Sequence, residues 1–171
     1  LKQKNSGVRN ILLQKQPMKS KIAIAFIALL LGTGFLSRLA AQKNQIEKTW
    51  YDEKKTCKVQ IYLAKDGKYY GKMVWLNEPI DPKTGKPQVD TQNPDPNLRN
   101  TPLLGLIMLR GFAPDPKNAN IYTGGTVYDA DGGKTYCGKI TCKGNTLDMR
   151  GYLCSFSLFG KTETWTLAEG Q

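Results

Sequence analysis

Histidine is missing from the chain altogether. Its absence excludes the Ser-His-Asp triad, the Cys-His nucleophilic pair and every histidine-ligated metal site. It also removes the side chain most often used as a general base. The four cysteines, Cys57, Cys137, Cys142 and Cys154, contain no C-x-x-C spacing, so neither a zinc site nor a thioredoxin-like redox motif is indicated. The apolar run from Ile22 to Leu36 is about fifteen residues, short of the roughly 20 that span the hydrocarbon of a bilayer. No helical stripe of apolar residues stands out along the chain. Finally, residues 1 to 41 carry no acid at all.

That last absence locates the charge. The formal net charge is +11, and Lys2, Lys4, Arg9, Lys15, Lys19, Lys21 and Arg38 all lie in the acid-free part. Setting those seven aside leaves 18 bases against 14 acids, or +4, for residues 42–171. A domain of that charge, with lysines spread along its strands, lacks the basic cluster a phosphate backbone needs. Tyr69 and Tyr70 beside Lys68 and Lys72 resemble a base-stacking platform, but outward-facing, solvated strand lysines explain them more simply. No nucleic-acid partner is expected.

The acid-free part reads as a leader. Met18 is followed by Lys19 and Lys21, then by the apolar Ile22 to Leu31, and Ala40 and Ala41 precede Gln42. This is the pattern of a cleavable secretory signal over residues 18–41, the charged end staying in the cytoplasm. A retained membrane anchor is the alternative, disfavoured by the short run. Residues 1–17 read as an upstream extension from a wrongly chosen start. No cysteine follows the apolar run closely, the first being Cys57, so no lipid anchor is expected. The mature chain, residues 42–171, is expected to be a single domain with one modest core, periplasmic or secreted, with no stable membrane span after cleavage. Four cysteines in an exported chain allow three disulfide connectivities, and free buried cysteines are an equal alternative.

Along residues 42–171 the pattern is strand after strand. "CKVQIYL" places Cys57, Val59, Ile61 and Leu63 on one face. Asp66 and Gly67 then mark a hairpin turn, and "KYYGKMVWL" returns. "LLGLIMLRGF" reads as a buried strand, "IYTGGTVYD" and "KTYCGKITC" as a hairpin, and "TLDMRGYLC" and "SFSLFGKTETWTL" close the chain. Short strands and glycine turns predict an all-β fold, and closing the sheet to remove its edges favours a barrel. A two-residue loop at Gly144 and Asn145 sets Cys142 opposite Thr146 or Leu147 and brings Ile140 near Met149. Arg150 and Tyr152 then share the other face with Cys137.

One segment breaks the pattern. Pro79, Pro82, Pro87, Pro94, Pro96 and Pro102 are six of the nine prolines, and they exclude a central strand there. A loop this long in a compact domain is usually functional or disordered. Its varied composition, and the apolar run that anchors its end, favour order.

The polar and aromatic candidates for a site are Asp90, Asn93 and Arg99 in the proline loop, Tyr128 and Asp129 at a strand end, and Tyr136, Arg150 and Trp165 on other strands. Two accounts compete. In the structural one, Arg150 pairs with Asp90 or Asp129, because an unpaired buried arginine costs several kcal/mol, and Asn93 ties up loop backbone. In the other, the cluster sits at a barrel mouth and orients a ligand beneath it, since ligand pockets are mostly apolar with a few convergent polar groups. "DADGG" at 129–133 superficially resembles a calcium loop, but position 12 of an EF-hand would be Ile140, and an Asp-Gly turn is the simpler reading. No metal and no cofactor are expected. Asp90, Asp95, Asp129, Asp131 and Glu163 leave a two-carboxylate hydrolase formally open, but nothing sets two acids at a defined separation, so catalysis is the least favoured class.

Trp50 after Ile46, "DGKYYGKMVWL", "TGKPQVDTQNPDPNLRNTPLLGL", "GGTVYDADGGKTY", "LDMRGYL" and "SLFGKTETW" occur in this order over residues 46–166. Together they resemble the bacterial family of exported proteins known as domain of unknown function 2147. The resemblance implies a small antiparallel barrel similar to lipocalins and their calycin relatives, with room for an internal cavity, and it implies no activity. Two positions depart from the family pattern. Lys48 stands where a first-strand glycine is usual, and Leu167 where the chain usually ends in arginine. If that arginine normally packs as a cation over the first-strand tryptophan, another residue, with Arg150 the candidate, must replace it, or that barrel end is looser. The resulting expectation is an exported lipocalin-like barrel that binds a small apolar or amphipathic molecule. The alternative is a cell-envelope interaction protein whose interior is filled, closed by Trp50, Trp75, Phe112 and Trp165.

Overall fold

Alternation, glycine turns and proline breaks lead to eight strands. They are β1 (Thr49–Tyr51), β2 (Cys57–Leu63), β3 (Tyr69–Leu76), β4 (Ile107–Asp115), β5 (Asn118–Asp129), β6 (Lys134–Cys142), β7 (Thr146–Leu153) and β8 (Phe156–Leu167). The computed structural model describes residues 45–168. The signal read at 18–41 and the extension read at 1–17 lie outside the described residues. Each strand pairs antiparallel with its sequence neighbour, and Trp50 and Tyr51 of β1 pair with Leu167 and Thr166 of β8. The sheet is therefore a closed barrel, which leaves no open edge to aggregate. Among the described residues, no helix is long and apolar enough to cross a membrane.

The turn at Gly144, φ +73°, sets the β6–β7 register as expected. Cys142 faces Leu147 and Ile140 faces Met149, and all four are buried inside. Arg150 and Tyr152 fall on the alternate, outer face, opposite Lys139 and Cys137. Cys137 and Cys154 form a disulfide, and Cys57 and Cys142 are free and buried. With a sequence separation of 17, this link is worth about 3 kcal/mol by chain entropy, and it ties the β7–β8 turn to β6. Beyond it Leu153, Phe156, Leu158 and Phe159 form an exposed apolar hairpin tip.

One half of the barrel is filled. Trp50, Phe112, Tyr122, Tyr69, Leu109 and Ile46 are buried there, with Tyr69 and Tyr122 edge-to-face at 5.2 Å. Bare backbone makes the room: Gly125 and Gly138 lie opposite each other in β5 and β6. A Cβ on either would run into the Phe112 ring, and one on Gly71 would run into Leu109. Large rings thus sit on glycines, the volume matching that close packing demands.

Two expectations change. The apolar run after Pro102 becomes strand only from Ile107. Gly105, at φ +96°, turns the chain, leaving Leu103 packed on the core and Leu104 exposed. Trp75 does not close the interior either. The register of β2 and β3 slips between Lys58 and Val59, and one extra residue in β3 reverses which side chains face inward. Trp75 therefore lies outside, edge-on to Tyr51 at 5.8 Å with the Lys58 ammonium over its ring at 5.3 Å.

Candidate functional site

The half of the barrel that Trp75 fails to fill is open. A cavity of about 440 Å³ lies at the mouth ringed by the β1–β2, β3–β4 and β5–β6 connections. Its apolar wall is Cys57, Met73, Leu76, Leu103, Met108 and Trp165. Five carboxylates also line it: Asp52, Glu78, Asp129, Asp131 and Glu163, with Lys54 as the cation among them. Glu163 faces inward because it stands opposite buried Met149, two residues before Trp165. It accepts from Lys161 at 2.7 Å.

The proline loop forms one side of this mouth and is ordered throughout. Bridges Ile80–Pro87 and Val89–Pro102 fold it into small hairpins, and Asp95 caps a 3-10 turn at Pro96–Leu98 by accepting from the Asn97 N–H. Its lock is Asp90, which is 1% exposed. The Asp90 carboxylate accepts from Asn93 Nδ2 at 2.7 Å and from the Tyr128 hydroxyl of β5 at 2.9 Å, while its N–H donates to Thr101 O at 2.9 Å. Arg99 Nε donates to Asn93 O at 2.9 Å. The loop also rests on the β5–β6 turn, where a Cβ at Gly133, φ +63°, would collide with the Gln92 carbonyl oxygen. The contact thus requires glycine at position 133.

Burial pushes the Tyr128 hydroxyl up to about 12, with the Asp90 hydrogen bond and charge adding to it. The folded state therefore holds this proton more tightly than the unfolded chain, whose tyrosines titrate near 10. The resulting stability is intact below about pH 10 and is lost as pH rises through about 12. Tyr128→Phe should remove one high-pH step from a spectrophotometric tyrosine titration and flatten the loss of stability between those values. Loss of a step near pH 10 instead would mean that Tyr128 is not the proton donor to Asp90.

Of the sequence-derived candidates, Tyr128, Asp129 and Trp165 line the cavity, and Asp90, Asn93 and Arg99 hold the loop beside it. Asp129 accepts from the N–H groups of Asp131 and Gly132 at 3.1 and 3.3 Å, an Asp-Gly turn. Among the described residues, no group of three or more cysteine and acidic side chains is placed to hold a metal. Tyr136 packs beside Gly151 and is not among the residues that line the cavity.

Arg150 pairs with neither Asp90 nor Asp129. It donates to Ser157 O at 3.0 Å, Leu158 O at 3.4 Å and Thr162 Oγ1 at 3.4 Å, bracing the β7–β8 hairpin from outside. The register that puts it opposite Lys139 leaves it half-buried on the outer face, where no buried acid is required. Nor does it replace the missing terminal arginine. Lys48, at the position usual for glycine, places its ammonium 6.0 Å from the Trp50 ring centroid, and Ala168 N–H bonds Thr49 O at 2.9 Å to close that end.

Neither free cysteine is shifted toward the thiolate. Burial, followed by the charges of Asp52, Asp131 and Glu163, pushes the Cys57 thiol up to about 12, and burial pushes Cys142 up to about 11. Reactive cysteines are shifted the other way. What sequence reasoning missed is the ring of carboxylates. Asp52 and Glu163 are 111 residues apart, and no local pattern joins them.

Comparison with solved structures shows similarity to protein HP1028 from the human pathogen Helicobacter pylori, described as belonging to the lipocalin family. The TM-score is 0.60 at 24% identity, covering 72% of this chain and 83% of that one, and the likeness concerns the fold. No curated protein matches the chain. The family profile described as "Uncharacterized protein conserved in bacteria (DUF2147)" matches residues 48–167, which takes in every strand of the barrel. The chain is a member of the DUF2147 family, built on a lipocalin-like barrel.

Proposed function

We propose that the protein is an exported binding protein that takes a small apolar or amphipathic molecule into the barrel mouth. The observation that carries this reading is the cavity of about 440 Å³, apolar on its wall and polar at its rim. Its size falls in the range of small-molecule sites. Export is supported by the charged, apolar and small-residue order of residues 18–41, and by a disulfide that persists only in an oxidising compartment. Native mass spectrometry of detergent-free protein purified from its source tests the reading. A stoichiometric mass adduct lost on denaturation supports it. A bare chain that also fails to bind any apolar probe in solution removes it.

A second reading, a cell-envelope interaction protein, is favoured by a different observation, the exposed hairpin tip of Leu153, Phe156, Leu158 and Phe159. Apolar patches of this kind mark contact surfaces. Phe156→Ser/Phe159→Ser separates the two readings, because it removes the tip and leaves the cavity lining intact.

A further inference from the structure

Residues 132–162 hold Lys134, Lys139, Lys143, Arg150 and Lys161 against a single acid, Asp148. That net +4 equals the whole excess of residues 42–171, so the rest of the domain is balanced. Asp148 is taken by Lys143 at 2.6 Å beside the β6–β7 turn, and Lys161 by Glu163, which leaves Lys134, Lys139 and Arg150. The last two lie directly opposite each other on the outer face of β6 and β7. Like charges so placed repel, and among the described residues no carboxylate bridges either.

The hairpin that holds Arg150 ends in the apolar tip. Residues 156–162 are all exposed, without alternation, so neither face of this stretch rests on the barrel. Phe156, Leu158 and Phe159 are 64, 89 and 66% exposed, and Leu153, opposite Phe156, is 49% exposed. A protein partner covers one face of such a strand, whereas lipid surrounds both. Backbone carbonyls need partners before they enter hydrocarbon, and Arg150 already supplies them to Ser157 O and Leu158 O. The Cys137–Cys154 disulfide holds the tip to β6, so binding has little left to order.

We propose that this tip docks on an anionic lipid surface, with Leu153, Phe156, Leu158 and Phe159 at the acyl boundary and Lys139 and Arg150 at the headgroups. Interfacial binding combines these two contributions, buried apolar area and attraction of basic side chains to anionic lipid. The carboxylates of the mouth line the cavity, whereas Lys139 and Arg150 stand on the outer face. The β7–β8 connection is the fourth at the end where the mouth opens, so a seated tip brings the cavity to the bilayer surface. The proposal rests on the contact-surface reading and gives that surface its partner. It does not require the cavity to be filled.

Leu158→Trp puts a fluorescent reporter at an exposed position of the tip where it disturbs no packing. The full-length chain is titrated with vesicles of phosphatidylcholine alone, or of equimolar phosphatidylcholine and phosphatidylglycerol, with and without bromine on the acyl chains. On the anionic vesicles the introduced indole should shift to the blue and be quenched by the bromine. Binding there should be about tenfold tighter than to the neutral vesicles, with the difference shrinking at high salt and in Lys139→Gln. Adding Phe156→Ser/Phe159→Ser should abolish both signals. The probe reports the tip itself, so lipid contact by residues 22–36 does not produce the quenching. No quenching on either vesicle overturns the lipid and leaves the contact surface to a protein. A blue shift that grows with protein concentration in the absence of vesicles assigns the tip to a second copy and overturns the lipid as well. Equal binding to the two vesicles, or a charge preference that Lys139→Gln leaves intact, overturns the headgroup contact. Failure of the contact-surface reading itself is separate, and would show as unchanged fractionation of Phe156→Ser/Phe159→Ser in the native cell.

Discussion

Gly138→Ala should destabilise the barrel by about 3 kcal/mol, the upper end of overpacking costs. The added Cβ would meet the Phe112 ring and would stand 3.0 Å from Val127 Cγ2. Phe112 is fully buried and also covers Gly125, so the ring has no free direction of retreat. Gly138 has no positive φ, so the cost is one of space and not of backbone strain. For a domain of this size the melting temperature should fall by about 10 °C. Phe112→Leu costs stability alone but frees the volume the new methyl needs. The double variant should therefore be more stable than the two single effects added together. Thermal melts of the four proteins measure this. Strict additivity would show that the ring does not rest on Gly138.

Asp90→Ala should cost about 2–3 kcal/mol, the loss of charge-assisted hydrogen bonds that leaves their donors unpaired. The donors are the Tyr128 hydroxyl and the Asn93 amide. The net figure is tempered because the variant also relieves the desolvation of a buried carboxylate. The effect should be local as well as global: limited proteolysis should cut first within residues 77–106, since the lock between that loop and β5 is gone. Asp90→Asn should lose less, because its amide oxygen still accepts from Tyr128. A loop as protected in Asp90→Ala as in the wild type would place the anchor elsewhere, with the Gly133–Gln92 contact the next candidate.

The parts of the fold that were legible were those with local causes. The β6–β7 register followed from Gly144 and the parity of the residues on either side. The proline segment announced itself as a non-strand, and Asp90, Asn93 and Arg99 were legible as belonging to it. Arg150 was misjudged because pairing was inferred before its burial was known. Once alternation puts it on the outer face, two backbone carbonyls and the Thr162 hydroxyl satisfy it. Trp75 was misjudged because alternation was carried through a bulge that one extra residue creates in β3. Lys48 was read only as a departure, although a long cationic side chain two residues before Trp50 can reach that ring itself.

Period-two alternation, turn glycines and missing proline donors act within a few residues, so the sequence by itself determined an all-β chain, its strand order and the irregular loop. Closure of the sheet brings together side chains far apart in the chain, and only the tertiary structure decided what they make. It placed Tyr128 on Asp90 across 38 residues, paired Cys137 with Cys154, seated Phe112 on two glycines, and left one half of the barrel open. It also gathered Asp52, Glu78, Asp129, Asp131 and Glu163 around one cavity. Electrostatic and packing energies depend on distances through space, and those distances exist only once β1 has met β8.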